Sequence, residues 1–215
     1  MTAGASETAR EAYRSRGKDI MTIAIKSSGN ARNFHQTEDH NMTEHQIVDS
    51  SFTAIINAPI EKIDIPEWCF GLSEQEYQSC SPAHIAAGFT TAPDGKRMSI
   101  NVEIIGGSMI VEHYIETFGG KSHLILDSTS DVFTPTGRTT IHVTWELSVK
   151  DAGGGKCEFT NRVRTFATED LLNFLARQGI PFDLFRAQRQ PASIAHNQGE
   201  TPLFAASIER AAHKK

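Results

Sequence analysis

The sequence predicts an α+β fold in which a curved antiparallel sheet is closed by helices. Three observations predict it. Residues 97–167 read as five strands in a row, separated only by turns. The chain before them holds one more strand and short helices, and the chain after them has helical spacing throughout.

Alternation with a period of two defines the five strands. In the first, Met98, Ile100, Val102 and Ile104 share one face, and Ser99, Asn101 and Glu103 the other. Gly106-Gly107 supplies a hairpin turn, because glycine accepts the positive φ such turns need. The next strand carries Met109, Val111, His113 and Ile115 on its apolar parity and ends at Gly119-Gly120. The third places Leu124, Leu126, Ser128, Ser130 and Val132 together, before Pro135-Thr136-Gly137 turns the chain. Ile141, Val143, Trp145, Leu147 and Val149 line one side of the fourth. Cys157, Phe159, Asn161, Val163 and Thr165 line one side of the fifth. Strands joined by short turns pair antiparallel, and the opposite parity supplies a wet face.

The chain has 215 residues, 39% of them hydrophobic, and a net charge of −5. That suits one domain with a real core. No long basic run exists, so neither nucleic acid nor an anionic membrane is an expected partner, and no apolar run has the roughly 18 residues of a membrane span. Three cysteines without a C-x-x-C pair, and a first stretch without a signal-peptide core, point to reduced thiols and a cytoplasmic location.

Residues 1–45 are polar and aperiodic and read as a weakly ordered tail, with at most a short helix over 9–16; Met1, Met21 and Met42 are alternative starts. His35, His40 and His45 recur within this tail, but a spacing of five does not stack side chains on one helix face, so a solvated tail is the preferred reading over a metal site. Residues 46–215 read as a single domain. Ser51 to Asn57 is its first strand, and Asn57 with Pro59 opens a helix that Pro66 interrupts. Ser73-Glu-Gln-Glu76 is a capping box and starts a second short helix. Ser81-Pro82 followed by Gly88 predicts one more helical turn, and Asp94-Gly95 a turn. Beyond the strands, Thr168 caps a helix that Gly179 ends. Pro181 opens the next, Pro191 should kink or break it, and Thr201-Pro202 should open a last one.

The order of a strand, two short helices, a long meander and C-terminal helix resembles the START and pollen-allergen-like superfamily, the helix-grip or SRPBCC fold, and its polyketide cyclase/dehydrase-like branch. The opening Phe52-Thr-Ala-Ile-Ile-Asn-Ala-Pro59-Ile-Glu-Lys, the paired-glycine hairpins, and the Trp145-Glu-Leu-Ser-Val and Cys157-Glu-Phe-Thr-Asn161 strands carry the likeness over about residues 50–212. Two departures stand out: the prolines that divide the C-terminal helix, and the irregular 73–97 segment. The resemblance implies a cavity between sheet and helix that holds lipids, sterols, polyketides or similar molecules, and in some members cyclises them.

With the apolar parities facing inward, Val111, His113, Ser128, Ser130, Val143, Trp145, Phe159 and Asn161 would line that cavity. An apolar pocket with a few convergent polar groups suits a small apolar or aromatic ligand. His113 would be the acid-base group of a cofactor-independent cyclase or dehydratase, and Asn161 its carbonyl partner; each also has an ordinary reading as a hydrogen-bonded core residue. Asp131 and Arg138 read as a structural ion pair. No nucleotide loop or nucleophile elbow occurs, and two histidines with a carboxylate cannot be placed around one pocket from the sequence, so no metal and no cofactor is expected. Ligand binding, a cyclase, and a dimeric interaction module without ligand are the three function classes left.

Overall fold

A computed structural model describes residues 45–214. The tail helix, and the His35 and His40 members of the histidine cluster, lie outside them. Seven strands form one antiparallel sheet: β1 (Gln46–Ile56), β2 (His84–Thr91), β3 (Arg97–Ile105), β4 (Ser108–Gly120), β5 (His123–Thr134), β6 (Gly137–Gly153) and β7 (Lys156–Ala167), in the order β1-β7-β6-β5-β4-β3-β2. A 3-10 turn (Ile60–Lys62) and two short helices, α1 (Ile65–Phe70) and α2 (Glu74–Ser79), join β1 to β2. Helices α3 (Glu169–Gln178) and α4 (Phe182–His213) follow β7. No helix among the described residues is long and apolar enough to cross a membrane.

Local signals set most boundaries. Ser73 accepts from the Glu76 N–H at 3.2 Å and caps α2, as the capping box requires. Thr168 caps α3 through the Leu171 N–H at 3.2 Å, and Gly179 ends that helix at φ 67°. Pro66 opens α1 rather than interrupting a helix, because Asp64 caps it and the missing proline N–H falls in the unbonded first turn. Arg138 pairs with Asp131 across the β5–β6 turn.

Three further expectations are corrected. The segment after Ser81-Pro82 is an edge strand, not a helical turn: Ala87 pairs with Asn101 and Thr90 with Met98, so pairing with β3 overrides the weak local signal. The C-terminal helix is not divided. α4 runs unbroken for 32 residues with Pro191 and Pro202 inside it. Both prolines are exposed, as are Ala187 and Gln198 four residues before them, so the carbonyls that lose a partner face water. The third correction matters most for function. In β3 and β4 the polar parity faces inward: Ser99, Asn101, Glu103, Ile110, Glu112 and Tyr114 are buried, while Ile104 and Met109 are exposed. The register pairs Ile100 with His113 and Val102 with Val111 on the outer face, and Asn101 with Glu112 on the inner. In β5, β6 and β7 the apolar parity does face inward, and Leu124, Leu126, Leu147 and Phe159 are fully buried there.

Helix α4 lies along the inner side. Its C-terminal half buries Phe204, Ala205, Ile208 and Ala212 in the main core. Its N-terminal half is tied to the β3–β4 hairpin by Arg189, which donates to the Ile105 and Gly106 carbonyls at 3.1 and 2.9 Å. Gly106 has φ +56°, and a Cβ there would lie 3.0 Å from Arg189 Nη1, so the hairpin needs glycine for its backbone and for the helix to approach.

Candidate functional site

Between α4 and the sheet lies a cavity of about 90 Å³, counted as room for the centres of water-sized spheres. That space holds several waters' worth, at about 10–15 Å³ each. Its walls are largely apolar, with Ile110, Val132, Ile141, Val143, Trp145 and Phe174 prominent. Its polar groups come from α2, from strands β3 to β7 and from α4. One row of the sheet register runs Glu103, Ile110, Val132, Thr139, so the wall spans three strand spacings, about 14 Å at about 4.8 Å each. At the far end of that row, the Thr139 hydroxyl is buried and has no hydrogen-bond partner among the described residues.

The other end is a dense ionisable cluster. Tyr77 on α2 donates its hydroxyl to Glu103 on β3. His84 begins β2; its ring stacks on Tyr77 with centroids 3.8 Å apart, and its Nδ1 donates to the Tyr77 carbonyl at 2.7 Å. His84 Nε2 then lies 3.1 Å from Glu200 Oε2 and 3.5 Å from Glu103 Oε1. His196 and Glu200 occupy successive turns of α4, four residues apart and on the same helix face. His196 Nε2 lies 3.2 Å from Glu200 Oε2 and 3.2 Å from Glu103 Oε2. Glu112 accepts from the Tyr114 hydroxyl at 2.9 Å.

Opposing forces set the charges. Burial alone would lower the His196 pKa, but hydrogen bonds to Glu103 and Glu200 outweigh it and push it up to about 10. Burial would raise Glu200, but hydrogen bonds to His196 and His84 win and hold it down at about 2. For Glu112, burial and then the charge of Glu103 outweigh the Tyr114 hydrogen bond and push its carboxyl well above the usual range.

The residues expected at the site divide into three groups. Val143 and Trp145 line the cavity. Ser128, Ser130, Phe159 and Asn161 are buried beneath its wall. There Ser128 accepts from the His113 N–H at 2.7 Å and bonds Ser130 at 2.9 Å, which uses its hydroxyl within the sheet. Asn161 accepts from Trp145 Nε1 at 2.8 Å and donates to Glu200 Oε1 at 3.0 Å, so it positions Glu200. Val111 and His113 are corrected: they lie on the outer face, because the parity of β4 is reversed, and His113 cannot reach the cavity. Tyr77, His84, Glu103, Glu112, His196 and Glu200 were missed. The Glu103 and Glu112 signal was present as a polar parity on each side of the Gly106-Gly107 turn, and His196-x-x-x-Glu200 has helical spacing.

No family model matches the sequence, and no curated protein matches it. Solved structures do. The aromatase/cyclase Zhui from Streptomyces sp. R1128 superposes with a TM-score of 0.55 at 11% identity, over 75% of this chain and 93% of that one. The di-domain ARO/CYC StfQ from the steffimycin biosynthetic pathway gives 0.54 at 10% identity, over 82% of this chain and 55% of that larger one. A START superfamily protein from Mycobacterium smegmatis gives 0.45 at 12% identity. The fold is that of these aromatase/cyclases, a curved antiparallel sheet with a long C-terminal helix. In this chain the helix brings His196 and Glu200 to the cavity, and the edge strand β2 brings His84 against them.

Proposed function

We propose that the cavity binds a small, mostly apolar or aromatic molecule with a hydrogen-bonding group. The observation that carries this reading is Thr139. A buried hydroxyl without a partner costs about 1–3 kcal/mol, and this one lines an otherwise apolar wall. A ligand oxygen or nitrogen would complete it. The cyclase-type fold of the neighbours supports the same reading. Native mass spectrometry of freshly purified protein tests it. A specific organic adduct is expected, and Val143→Phe, which pushes a ring into the cavity, should remove it while the circular dichroism spectrum stays unchanged. A bare wild-type mass, or an adduct indifferent to Val143→Phe, would reject the proposal.

The enzymatic alternative passes from His113 to Glu112. A carboxyl on the cavity wall whose burial favours the protonated form can give a proton to a ligand carbonyl and take one from the adjacent carbon. Incubating the eluted compound with protein in D2O should then exchange a carbon-bound hydrogen. Glu112→Gln should abolish that exchange without releasing the ligand. Equal exchange in the variant would exclude Glu112 as the acid.

A further inference from the structure

We infer that His84, His196 and Glu200 bind a divalent transition-metal ion of the zinc class. The side-chain donors of these three residues all lie within 4.8 Å of one another. The spacing suits coordination. A tetrahedral ion with bonds of about 2.0–2.1 Å holds neighbouring donors about 3.3 Å apart. Here Glu200 Oε2 is 3.1 Å from His84 Nε2 and 3.2 Å from His196 Nε2. Glu103 flanks both rings, 3.5 Å from His84 Nε2 through Oε1 and 3.2 Å from His196 Nε2 through Oε2, and offers a further oxygen ligand.

The orientation of the donors is the second argument. A carbonyl only accepts, so the 2.7 Å contact with the Tyr77 carbonyl fixes a proton on His84 Nδ1. In the neutral ring, the Nε2 lone pair then points at a carboxylate oxygen. Two lone pairs facing each other at 3.1 Å repel, unless a second proton or a cation lies between them. His196 Nδ1 is likewise engaged, by the Ser81 hydroxyl at 3.3 Å, and Glu200 Oε1 accepts from Asn161 Nδ2 at 3.0 Å. Each donor is therefore held from behind by a hydrogen bond on its other polar atom, the arrangement that orients metal ligands. Charge balance agrees, because one dication offsets the two buried carboxylates of Glu103 and Glu200 with both imidazoles neutral. Two imidazoles with carboxylate oxygen suit zinc, iron or nickel better than magnesium or calcium. His196, Glu200 and Glu103 line the cavity, which gives an ion both a route in and an open side toward a ligand.

This inference needs the cavity only for access, so failure to find an organic adduct leaves it untouched. The test is calorimetric titration of zinc sulfate into chelator-treated full-length protein. One equivalent is expected to bind. His196→Gln and Glu200→Gln should weaken it by about 100-fold or more, and Asn161→Ala by about 10-fold. His123→Gln, in a separate partly exposed pair with Glu146, should leave it unchanged. Wild-type protein loaded with cobalt(II) gives a readout free of folding artefacts: two paramagnetically shifted histidine N–H signals. Absence of zinc uptake by the wild type, undiminished binding in the folded variants, or a cobalt spectrum without histidine ligation would each overturn the site and leave a metal-free imidazole–carboxylate pair.

Discussion

Glu200→Ala in chelator-treated protein is expected to lose about 3–5 kcal/mol of stability, the usual loss when one partner of a buried ionic network is removed. At about 2–4 °C per kcal/mol for a domain of this size, Tm should fall by about 6–20 °C. One carboxylate serves two buried groups and one partly buried group from three parts of the chain: His84 on β2, Asn161 on β7 and His196 on α4. Alanine takes a partner from all three and leaves the positive charge on His196 with Glu103 as its remaining carboxylate contact. The exposed Asp94–Lys96 pair is the contrast. Removing Asp94 should leave the melting temperature nearly unchanged, because solvent screens an exposed pair. Thermal denaturation of both variants checks the difference, and a Glu200→Ala shift as small as that of Asp94→Ala would mean that the cluster adds nothing to the fold.

Stability of the metal-free protein should also fall as pH rises from neutrality. His196 has a pKa of about 10 in the folded protein against about 6.5 unfolded. Its contribution is complete below pH 6.5 and is lost progressively up to pH 10. Glu200, held at about 2, contributes fully above its ordinary value near 4.5 and loses that contribution only as pH falls toward 2. Glu112, raised by burial and by Glu103, acts in the same direction as His196, since unfolding lets it ionise once pH passes its ordinary value. The groups facing His196 are Ser81 from the α2–β2 region, His84 from β2, Glu103 from β3, Glu112 from β4 and Glu200 from α4 itself. With Glu200 complete above its ordinary value and Glu112 declining above its own, these groups place maximum stability near pH 4.5. From pH 6.5 to 9, His196 alone accounts for about 3 kcal/mol at 1.36 kcal/mol per unit. Melting curves from pH 5 to 9 read this directly, and a His196→Gln variant should show a flatter profile. A wild-type Tm that climbs between pH 6.5 and 9 would contradict it.

The fold was legible in the sequence wherever local chemistry decides structure. The capping box at Ser73, the Thr168 cap, the Gly179 stop and the paired-glycine hairpin all act within a few residues, and the alternation in β5, β6 and β7 reports the buried face correctly. β3 and β4 defeated the same rule because their inner face carries polar groups that line the cavity and bond one another there. Asn101, Glu103 and Glu112 lie inside while Ile104 and Met109 lie outside, so hydrophobicity pointed the wrong way. Pro191 and Pro202 hid the helix that carries His196 and Glu200. Nothing in the sequence says that the carbonyls they orphan face water, and that exposure depends on how the whole helix is seated. His84 was invisible for a different reason: it belongs to a strand that only its pairing with β3 creates.

The order of the chain also sets when this cluster can exist. Strands β3 to β7 are joined by short turns and can zip together one hairpin at a time, each closing a small loop. The contact between His84 and Glu200 closes a separation of 116 residues, and that between Ser81 and His196 one of 115. Loop closure grows costlier with length, though slowly, and here it also waits for the sheet and for α4 to be in place. Residues scattered over so much of the chain meet only in the completed molecule. The sheet can persist through a partial opening of α4; the constellation of His84, His196 and Glu200 cannot.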